Sequence, residues 1–331
     1  MKRNVKVSVV VLTYNHEKYI KRALESILNQ KTNFSYEILI GDDCSTDNSW
    51  NILKEYKKQY PEIIRIFQAK YNMGATKNSY HLFHKASGEY IAQLETDDYW
   101  TDELKLQKQI DFLEENRGYV GCSHHCTVVD QNEKTIERFN NDQKETYWNF
   151  CSTTFTLKDF EMGKYPGHFG TMVYRNIFLS PDLDYRILYQ AHRIIGDRTI
   201  IGLLSISGQI YVLKDNMSCY RMIENNEAQN WQSQARQKNK RYEEFHYICE
   251  LERYMNVNCE RAVSMKTVRQ EKIVCASVYM LDHFNYENVK VVFQMCLDNK
   301  STIGAVGLAC SSIFQKMFYR FICGEDRPVV Y

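Results

Sequence analysis

The spacing of apolar residues near the start of the chain predicts a buried strand followed by an amphipathic helix. The run VKVSVVVLTYN is rich in β-branched residues and has no turn residue before Thr13, which is typical of a parallel strand buried on both faces. The next segment carries apolar residues at helical spacing on one stripe, namely Ile20, Ala23, Leu24, Ile27 and Leu28. The first strand therefore leads into a helix that packs on one side.

The same unit recurs further along the chain. YEILIGDDCSTDNSWNILKEYKKQY predicts a strand, an acidic loop and a helix. IIRIFQ predicts a strand followed by a helix over residues 75–87, and EYIAQLE predicts another strand. Four alternations favour an α/β fold with a mostly parallel, doubly wound sheet and helices on both faces.

Polar residues follow each of the four predicted strands. They are Thr13, Tyr14 and Asn15 after the first strand, Asp42 and Asp43 after the second, Lys70 and Asn72 after the third, and Asp97 and Asp98 after the fourth. Parallel strands end at the same edge of a sheet, where such sheets bind their ligands. We therefore expect these side chains to share one rim.

Several carboxylates on one rim repel one another unless a cation is bound among them. Their hard oxygen ligands suit Mg²⁺ or Mn²⁺, which complete their coordination with substrate phosphates and water. The alternative is that Asp97 and Asp98 only cap the helix that begins near Asp102.

Composition and charge exclude some classes of function. Lys and Arg total 42 against 41 Asp and Glu in 331 residues, so we expect no nucleic acid partner. The 11 cysteines have no framework spacing and we recognise no signal peptide, so we expect reduced thiols in a cytoplasmic protein. The first loop lacks both GxGxxG and GxxxxGKS, so phosphate would be held by metal and side chains.

Four segments resemble the family 2 glycosyltransferases, namely VSVVVLTYN, EILIGDDCSTDNS, NMG and GEYIAQLETDDYW. They occur in the order and spacing of that family over roughly the first 115 residues, which is more specific than any one of them. The resemblance implies a GT-A fold that binds a nucleoside-diphosphate sugar together with Mn²⁺ or Mg²⁺.

The resemblance assigns roles to the rim residues. It implies that Tyr14 stacks on the nucleobase, Asp43 accepts the imide hydrogen of the base, Asp97 binds the ribose and Asp98 coordinates the metal. The nucleotide-binding residues that it implies are Thr13, Tyr14, Asn15, Asp43, Lys70 and Asp97. For Lys70 a solvated surface lysine is an equal alternative.

Glu95 is a departure from the family pattern. The family often has DGDD or DADD where this chain has ETDD, so Glu95 stands at the position of the first aspartate. Its contribution to the metal or the ribose site stays open, as does contact with the diphosphate or the acceptor.

Beyond residue 130 the resemblance is confined to two pieces. YPGHFGTMVYRN is expected to lead into an edge strand near the acceptor, and it contains His168 as a candidate contact. IIGDRTIIGLLSISGQIYVLKDNMSCYRM implies Asp197 as the catalytic base ahead of an apolar helix, with Arg221 as a candidate diphosphate contact. The alternative for Asp197 is an acid favoured by the helix dipole.

The resemblance implies an inverting glycosyltransferase that moves a sugar, most simply from a UDP donor, to a hydroxyl of a saccharide or lipid-linked acceptor. Bacterial surface polysaccharide synthesis is the context that it implies. Two other classes stay open. A sugar-nucleotide nucleotidyltransferase would favour a glycine- and arginine-rich first loop, and a non-catalytic protein would bind the nucleotide sugar without turnover.

The chain is expected to divide into a catalytic domain and a helical region. Residues 1–225 form the catalytic domain, with a nucleotide-sugar-binding half over 1–118 and an acceptor-side half over 119–225, and residues 226–331 form the helical region. No window has the roughly 18 unbroken apolar residues of a spanning helix. TIGAVGLACSSIFQKMFYRFIC, residues 302–323, could lie on the inner face of the plasma membrane or pack on its own domain.

Overall fold

The computed structural model describes residues 5–140, 148, 150–180, 184–223, 241–258, 261–283 and 285–299. The chain forms two compact units, the first from residues 1–160 and 164–225 and the second from 161–163 and 226–331. The membrane-surface segment expected at residues 302–323 lies outside the described residues.

The described part of the first unit is built on one nine-stranded sheet. Its strands are β1 Val7–Thr13, β2 Tyr36–Asp42, β3 Ile64–Gln68, β4 Tyr90–Glu95, β5 Tyr99–Trp100, β6 Tyr119–Val129, β7 Thr154–Phe155, β8 Val173–Arg175 and β9 Gln209–Arg221. Their spatial order is β3-β2-β1-β4-β8-β6-β9-β5, and β7 pairs with β9. The predicted α/β class is confirmed: β1 to β4 run parallel to one another, and β6 pairs in parallel with β9.

Helices connect these strands and cover the sheet. They are α1 Ile20–Leu28, α2 Ser49–Gln59, α3 Ala75–Phe83, α4 Lys105–Glu115, α5 Leu157–Glu161, α6 Ile187–Gln190 and α7 Asp197–Ser207. Helix α3 is four residues shorter than predicted, because the chain must turn to bring Gly88 against β1. A Cβ on Gly88 would lie 2.5 Å from the Ser8 backbone nitrogen.

Strand β1 lies at the centre of the parallel part, between β2 and β4. Val7, Val9, Val10 and Val11 have no exposed surface, as the unbroken apolar run predicts. Each buried valine contributes about 1.5–3 kcal/mol relative to an exposed one. This burial fixes where β1 ends, and therefore where the polar residues after it lie.

Strand β8 occupies an interior position, so the expectation of an edge strand after YPGHFGTMVYRN is wrong. Its Val173 pairs with Ala92 of β4 on one side and with Cys122 of β6 on the other. Val173 and Tyr174 are fully buried, and Tyr174 Oη donates a hydrogen bond to Gln93 Oε1 at 2.8 Å. Both backbone edges of β8 are used, so it joins the two halves of the sheet.

The second unit contains three described helices, α8 Arg241–Asn258, α9 Lys266–Asp282 and α10 Tyr286–Asp298. They share a small core of Phe245, Ile273, Ala276, Val292, Met295 and Cys296. Within the described ranges, no helix has both the length and the apolar character needed to cross a membrane.

A buried carboxylate, Glu37, joins the amino ends of the parallel strands on the side away from the rim. It accepts hydrogen bonds from Ser8 Oγ at 2.7 Å, from the Ser87 amide at 2.9 Å and hydroxyl at 2.8 Å, and from Arg65 Nη1 at 3.1 Å. Burial acts to raise the pKa of Glu37, but these donors outweigh it and leave the pKa below its usual value.

We expect Glu37→Ala to lower the free energy of unfolding by about 3 kcal/mol at pH 7, because it leaves the buried Ser8 hydroxyl and the partly buried bonds of Ser87 and Arg65 without their charged acceptor. A carboxyl with a lowered folded-state pKa stabilises the fold above its unfolded pKa, and this stability is lost as the pH falls through the folded value. The difference from wild type should therefore shrink below about pH 4.5. Urea unfolding at several pH values measures it.

The matched control is Glu55→Ala, which removes an exposed carboxylate from α2 and should change stability by less than about 0.5 kcal/mol. Equal stability of Glu37→Ala and wild type at pH 7, or a difference that grows in acid, would contradict this account of Glu37.

Candidate functional site

The register of the parallel strands brings their polar ends to one level. Thr13 pairs with Asp42, which pairs in turn with Gln68, and Leu12 pairs with Glu95. The structure therefore places the ends of β1, β2, β3 and β4 on one rim, as their parallel arrangement requires.

The loops after β1 and β2 are joined at Asn15. Its backbone has a φ of 56°, a left-handed conformation that asparagine tolerates better than most residues. The Asn15 amide donates to Ser45 Oγ at 2.9 Å, and Asn15 Oδ1 accepts from the Thr46 amide at 2.8 Å. The neighbouring Tyr14 is half-buried at the same loop.

Asp43 is buried at the end of β2 and holds the turn that follows β3. Its two carboxylate oxygens accept hydrogen bonds from the amides of Met73 and Gly74, each at 2.8 Å. Burial raises the pKa of Asp43 above its usual value, although these amides and the charge of Arg193 oppose the shift. Lys70 lies exposed in the same turn. Asp43 thus organises the loop in addition to its predicted contact with a base.

Asp97 and Asp98 form the turn after β4, which we call the acidic turn. Each of them is at least nine-tenths buried. Asp98 Oδ1 accepts a hydrogen bond from the Arg221 amide at 2.8 Å. Asp98 Oδ2 and Asp97 Oδ1 are buried without a hydrogen-bond donor. Burial and the charge of Asp97 raise the pKa of Asp98 well above its usual value. Two carboxylate oxygens are therefore open to a positively charged partner.

Arg221, the last residue of β9, holds this turn through both its backbone amide and its side chain. Its buried side chain donates from Nε to the Asp97 carbonyl at 2.8 Å and from Nη2 to Glu133 Oε1 at 2.9 Å. The guanidinium also packs over the rings of Tyr19 and Tyr99, at 4.7 and 5.5 Å from their centroids. Arg221 positions the Asp97–Asp98 turn, and a direct contact with a diphosphate would require it to leave these partners.

His168 lies beside the same turn, with Nδ1 at 3.8 Å from Asp98 Oδ2. The Gly170 amide donates to Nδ1 at 3.3 Å, so the neutral ring carries its proton on Nε2. Burial lowers the pKa of His168 to about 3. The structure therefore places a neutral imidazole next to the acidic turn.

Glu95 interacts electrostatically with Asp97 of the turn after β4 and with Asp197 at the start of α7. Glu95 is exposed at the end of β4. Nearby protein atoms and the charges of Asp97 and Asp197 raise the pKa of its carboxyl above the usual value. Asp197 is thus close enough to Glu95 for their charges to interact.

Asp197 is the first residue of α7, as the sequence predicts, and is half-buried. Its Oδ1 accepts a hydrogen bond from the Arg198 amide at 2.7 Å. The apolar side of the helix is buried through Ile200, Ile201, Leu203 and Leu204. The core thus anchors α7, and the charge of Asp197 at its first residue acts on Glu95 at the rim.

The sequence reasoning missed His16. Its Nδ1 lies 2.8 Å from Thr96 Oγ1, which donates to Thr13 Oγ1 at 2.7 Å, and 3.9 Å from Asp97 Oδ1. The signal was present in TYNHEKY, where a histidine follows the predicted rim residues directly. His16 belongs to the set of side chains around the acidic turn.

The donor set of the acidic turn fits a hard divalent cation. Asp97 Oδ1 and Asp98 Oδ2 are carboxylate oxygens that lack hydrogen-bond donors, and such oxygens suit Mg²⁺ and Mn²⁺. Across the residues with described positions, no group of three or more His, Cys, Asp or Glu side chains forms a metal cluster. The protein would therefore supply one or two ligands, which is the usual number where substrate phosphates supply the rest.

Comparison with known proteins gives a consistent match. The model of the family described as glycosyl transferase family 2 matches residues 8–178. An uncharacterised glycosyltransferase of Nostoc sp. is 32% identical over 219 residues, which cover 66% of this chain and 65% of that protein. The UDP-Glc:alpha-D-GlcNAc-diphosphoundecaprenol beta-1,3-glucosyltransferase WfaP of Escherichia coli is 34% identical over 124 residues, which cover 38% of this chain and 47% of that enzyme.

The crystal structure of S. aureus TarS 1–349 in complex with UDP-GlcNAc superposes with a TM-score of 0.60 at 18% identity. The superposition covers 89% of this chain and 80% of that chain, and at this identity it shows a common fold. The chain spans 36% to 65% of the length of the first curated relatives that it matches.

We expect Arg221→Met to lower the free energy of unfolding by about 2–4 kcal/mol, because it removes charge-assisted hydrogen bonds to the Asp97 carbonyl and Glu133. The matched control is Arg22→Met. Arg22 packs on the same Tyr99 ring, at 4.7 Å, but is exposed, so its loss should cost less than about 1 kcal/mol. Urea unfolding of the two variants decides the point, and equal losses would rule out the supporting role of Arg221.

Proposed function

The chain belongs to glycosyl transferase family 2, and we propose that it transfers a sugar from a nucleoside-diphosphate donor to a hydroxyl of a saccharide or lipid-linked acceptor. The observation that carries this proposal is the acidic turn after β4. Asp97 and Asp98 each keep a buried oxygen without a donor there, beside the loops that a nucleotide would occupy. Residues 1–225 would form the catalytic domain.

The nucleoside would lie across the ends of β1 and β2. Tyr14 would stack on the base beside Thr13 and Asn15, Asp43 would accept its imide hydrogen, and Asp97 would bind the ribose. Each oxygen of Asp43 accepts one amide hydrogen bond and retains a further lone pair for a base. UDP is the carrier that the relatives favour, since the name of the E. coli enzyme specifies UDP-Glc and TarS was crystallised with UDP-GlcNAc.

A divalent cation, Mn²⁺ or Mg²⁺, would be held by Asp98 through the oxygen that has no hydrogen-bond donor. When bound, such a cation supplies positive charge that stabilises the leaving diphosphate. The chain's own part is to keep Asp98 oriented through the Arg221 amide and to keep His168 neutral beside it. Exposed Lys70 would add positive charge near the diphosphate.

Asp197 would act as the catalytic base. It would accept the proton of the acceptor hydroxyl while that oxygen forms a bond to the anomeric carbon and the bond from that carbon to the diphosphate breaks. Attack from the face opposite the diphosphate gives a single displacement with inversion.

The acceptor and the setting follow from the relatives as proposals. The name of the E. coli enzyme specifies a sugar linked to diphosphoundecaprenol, which is a lipid carrier. We place this chain in bacterial surface polysaccharide synthesis, in the cytoplasm, with residues 226–331 as the region that would contact the membrane. His168 and Glu95 would lie near the acceptor or the diphosphate.

A thermal-shift panel tests the donor site. We expect UDP with Mn²⁺ to raise the melting temperature of the wild-type chain, and UDP alone or Mn²⁺ alone to have a much smaller effect. At a ligand concentration of 100 times Kd the stabilisation is about 2.7 kcal/mol. TDP, GDP and CDP in the same panel identify the base.

Two variants test whether the combined shift depends on Asp98. Asp98→Asn should lose the combined shift, whereas Asp111→Asn, an exposed acid on α4, should keep it. If no nucleoside diphosphate gives a metal-dependent shift with the wild-type chain, the proposed donor site is wrong.

A further inference from the structure

The loop that precedes Asp197 is fastened to the turn after β3. Arg193 Nη2 donates hydrogen bonds to the carbonyl oxygen of Asn72, at 2.8 Å, and to its side-chain Oδ1. In the opposite direction, Thr76 Oγ1 lies 2.8 Å from the carbonyl oxygens of both His192 and Arg193. Two segments about 120 residues apart in the sequence are therefore held together by several hydrogen bonds.

Two glycines allow this close approach. Gly74 has a φ of 93°, and a Cβ there would lie 2.4 Å from Arg193 Cγ and 2.5 Å from the Arg193 carbonyl oxygen. A Cβ added to Gly196 would lie 3.1 Å from Thr76 Cγ2, which is a tight contact. The fit between the two segments leaves little room for movement, because atoms of both already touch.

The loop itself is short and internally braced. His192 Nδ1 accepts hydrogen bonds from the amides of Ile194 at 3.0 Å and Ile195 at 2.9 Å. Helix α7 then begins at Asp197, only four residues after Arg193. A displacement of Arg193 would therefore move Asp197 by a similar distance.

The partner segment is fixed as well, since Asp43 holds the amides of Met73 and Gly74. A continuous set of contacts thus runs from Asp43, at the expected nucleoside position, through residues 72–76 to Arg193. The loop that carries Asp197 is built on the loop that would bind the donor.

We propose that Arg193 is a positioning residue, which ties the Asp197 loop to residues 72–76 and so sets the distance between the catalytic base and the bound donor. This inference rests on the proposed function, because it takes Asp197 as the base. A reacting group misplaced by about 1 Å can lose on the order of 100-fold in rate, so a tether of this kind matters for turnover more than for donor binding.

The test compares Arg193→Ala with wild type in the release of UDP from UDP-glucose and UDP-GlcNAc with Mn²⁺, a hydrolysis in which water replaces the acceptor hydroxyl as the nucleophile and takes the sugar. We expect kcat to fall at least tenfold, while the donor KM stays within about threefold and the thermal shift with UDP and Mn²⁺ is retained. Arg193→Lys keeps a donor for Asn72 and should recover part of kcat. Arg186→Ala is the matched control, since Arg186 is an exposed arginine of the same segment whose side chain, among the contacts described, hydrogen-bonds only to Asp184.

A second pair of variants tests the contact itself. Asn72→Ala removes the side-chain acceptor, so it should lower kcat less than Arg193→Ala does, and the double variant should be no slower than Arg193→Ala alone. Losses that simply multiply would mean that the two residues act separately, which would overturn the tether.

The outcomes separate this inference from the proposed function. If the wild-type chain releases no UDP, or if Asp197→Asn is as active as wild type, the proposed function or its base is wrong. If wild type is active and Asp197→Asn is not, a kcat within twofold of wild type for Arg193→Ala overturns the tether alone. A kcat loss matched by a large rise in KM and a lost UDP shift also overturns it, because Arg193 would then contact the donor.

Discussion

The arrangement of this site depends on the crowding of carboxylates where the parallel strands end. Asp97 and Asp98 are adjacent and buried, and Asp98 is so disfavoured as an anion that its pKa lies well above the usual value. Such a turn is stable only if the rest of the fold opposes the repulsion. Arg221 opposes it through hydrogen bonds to Asp98 and to the Asp97 carbonyl. We propose that a bound cation with its diphosphate opposes it as well.

This constraint explains why the distant part of the sheet matters to the site. Strand β9 runs from α7 to Arg221, so it links the helix that begins with Asp197 to the support of the Asp97–Asp98 turn. Strand β8, between β4 and β6, joins the same two halves through the sheet. The expected donor side and acceptor side therefore belong to one sheet, so a small shift of one would displace the other.

The sequence predicted what depends on local periodicity and on the topology of parallel strands. The β1 run, the α1 stripe and the position of Asp197 at the start of α7 are features of short segments, and the shared rim follows because parallel strands end together. The resemblance predicted roles for the rim residues, which remain proposals. It did not show that Asp43 holds the amides of residues 73 and 74.

Long-range contacts could not be predicted in this way. The bond of Arg193 to Asn72 and that of Arg221 to the Asp97 carbonyl join residues more than 100 positions apart, and no periodic pattern encodes them. The early end of α3 and the interior place of β8 have the same origin, because each depends on a neighbour supplied by another part of the chain.

The central claim is that the acidic turn after β4 binds a cation together with a nucleoside diphosphate. The most direct test is a crystal structure of the chain with UDP and Mn²⁺, in which anomalous scattering locates the metal. The account predicts one manganese peak in contact with the Asp98 carboxylate and with the phosphates of UDP. Phosphates bound only by lysine and arginine side chains, or a manganese peak away from Asp98, would contradict it.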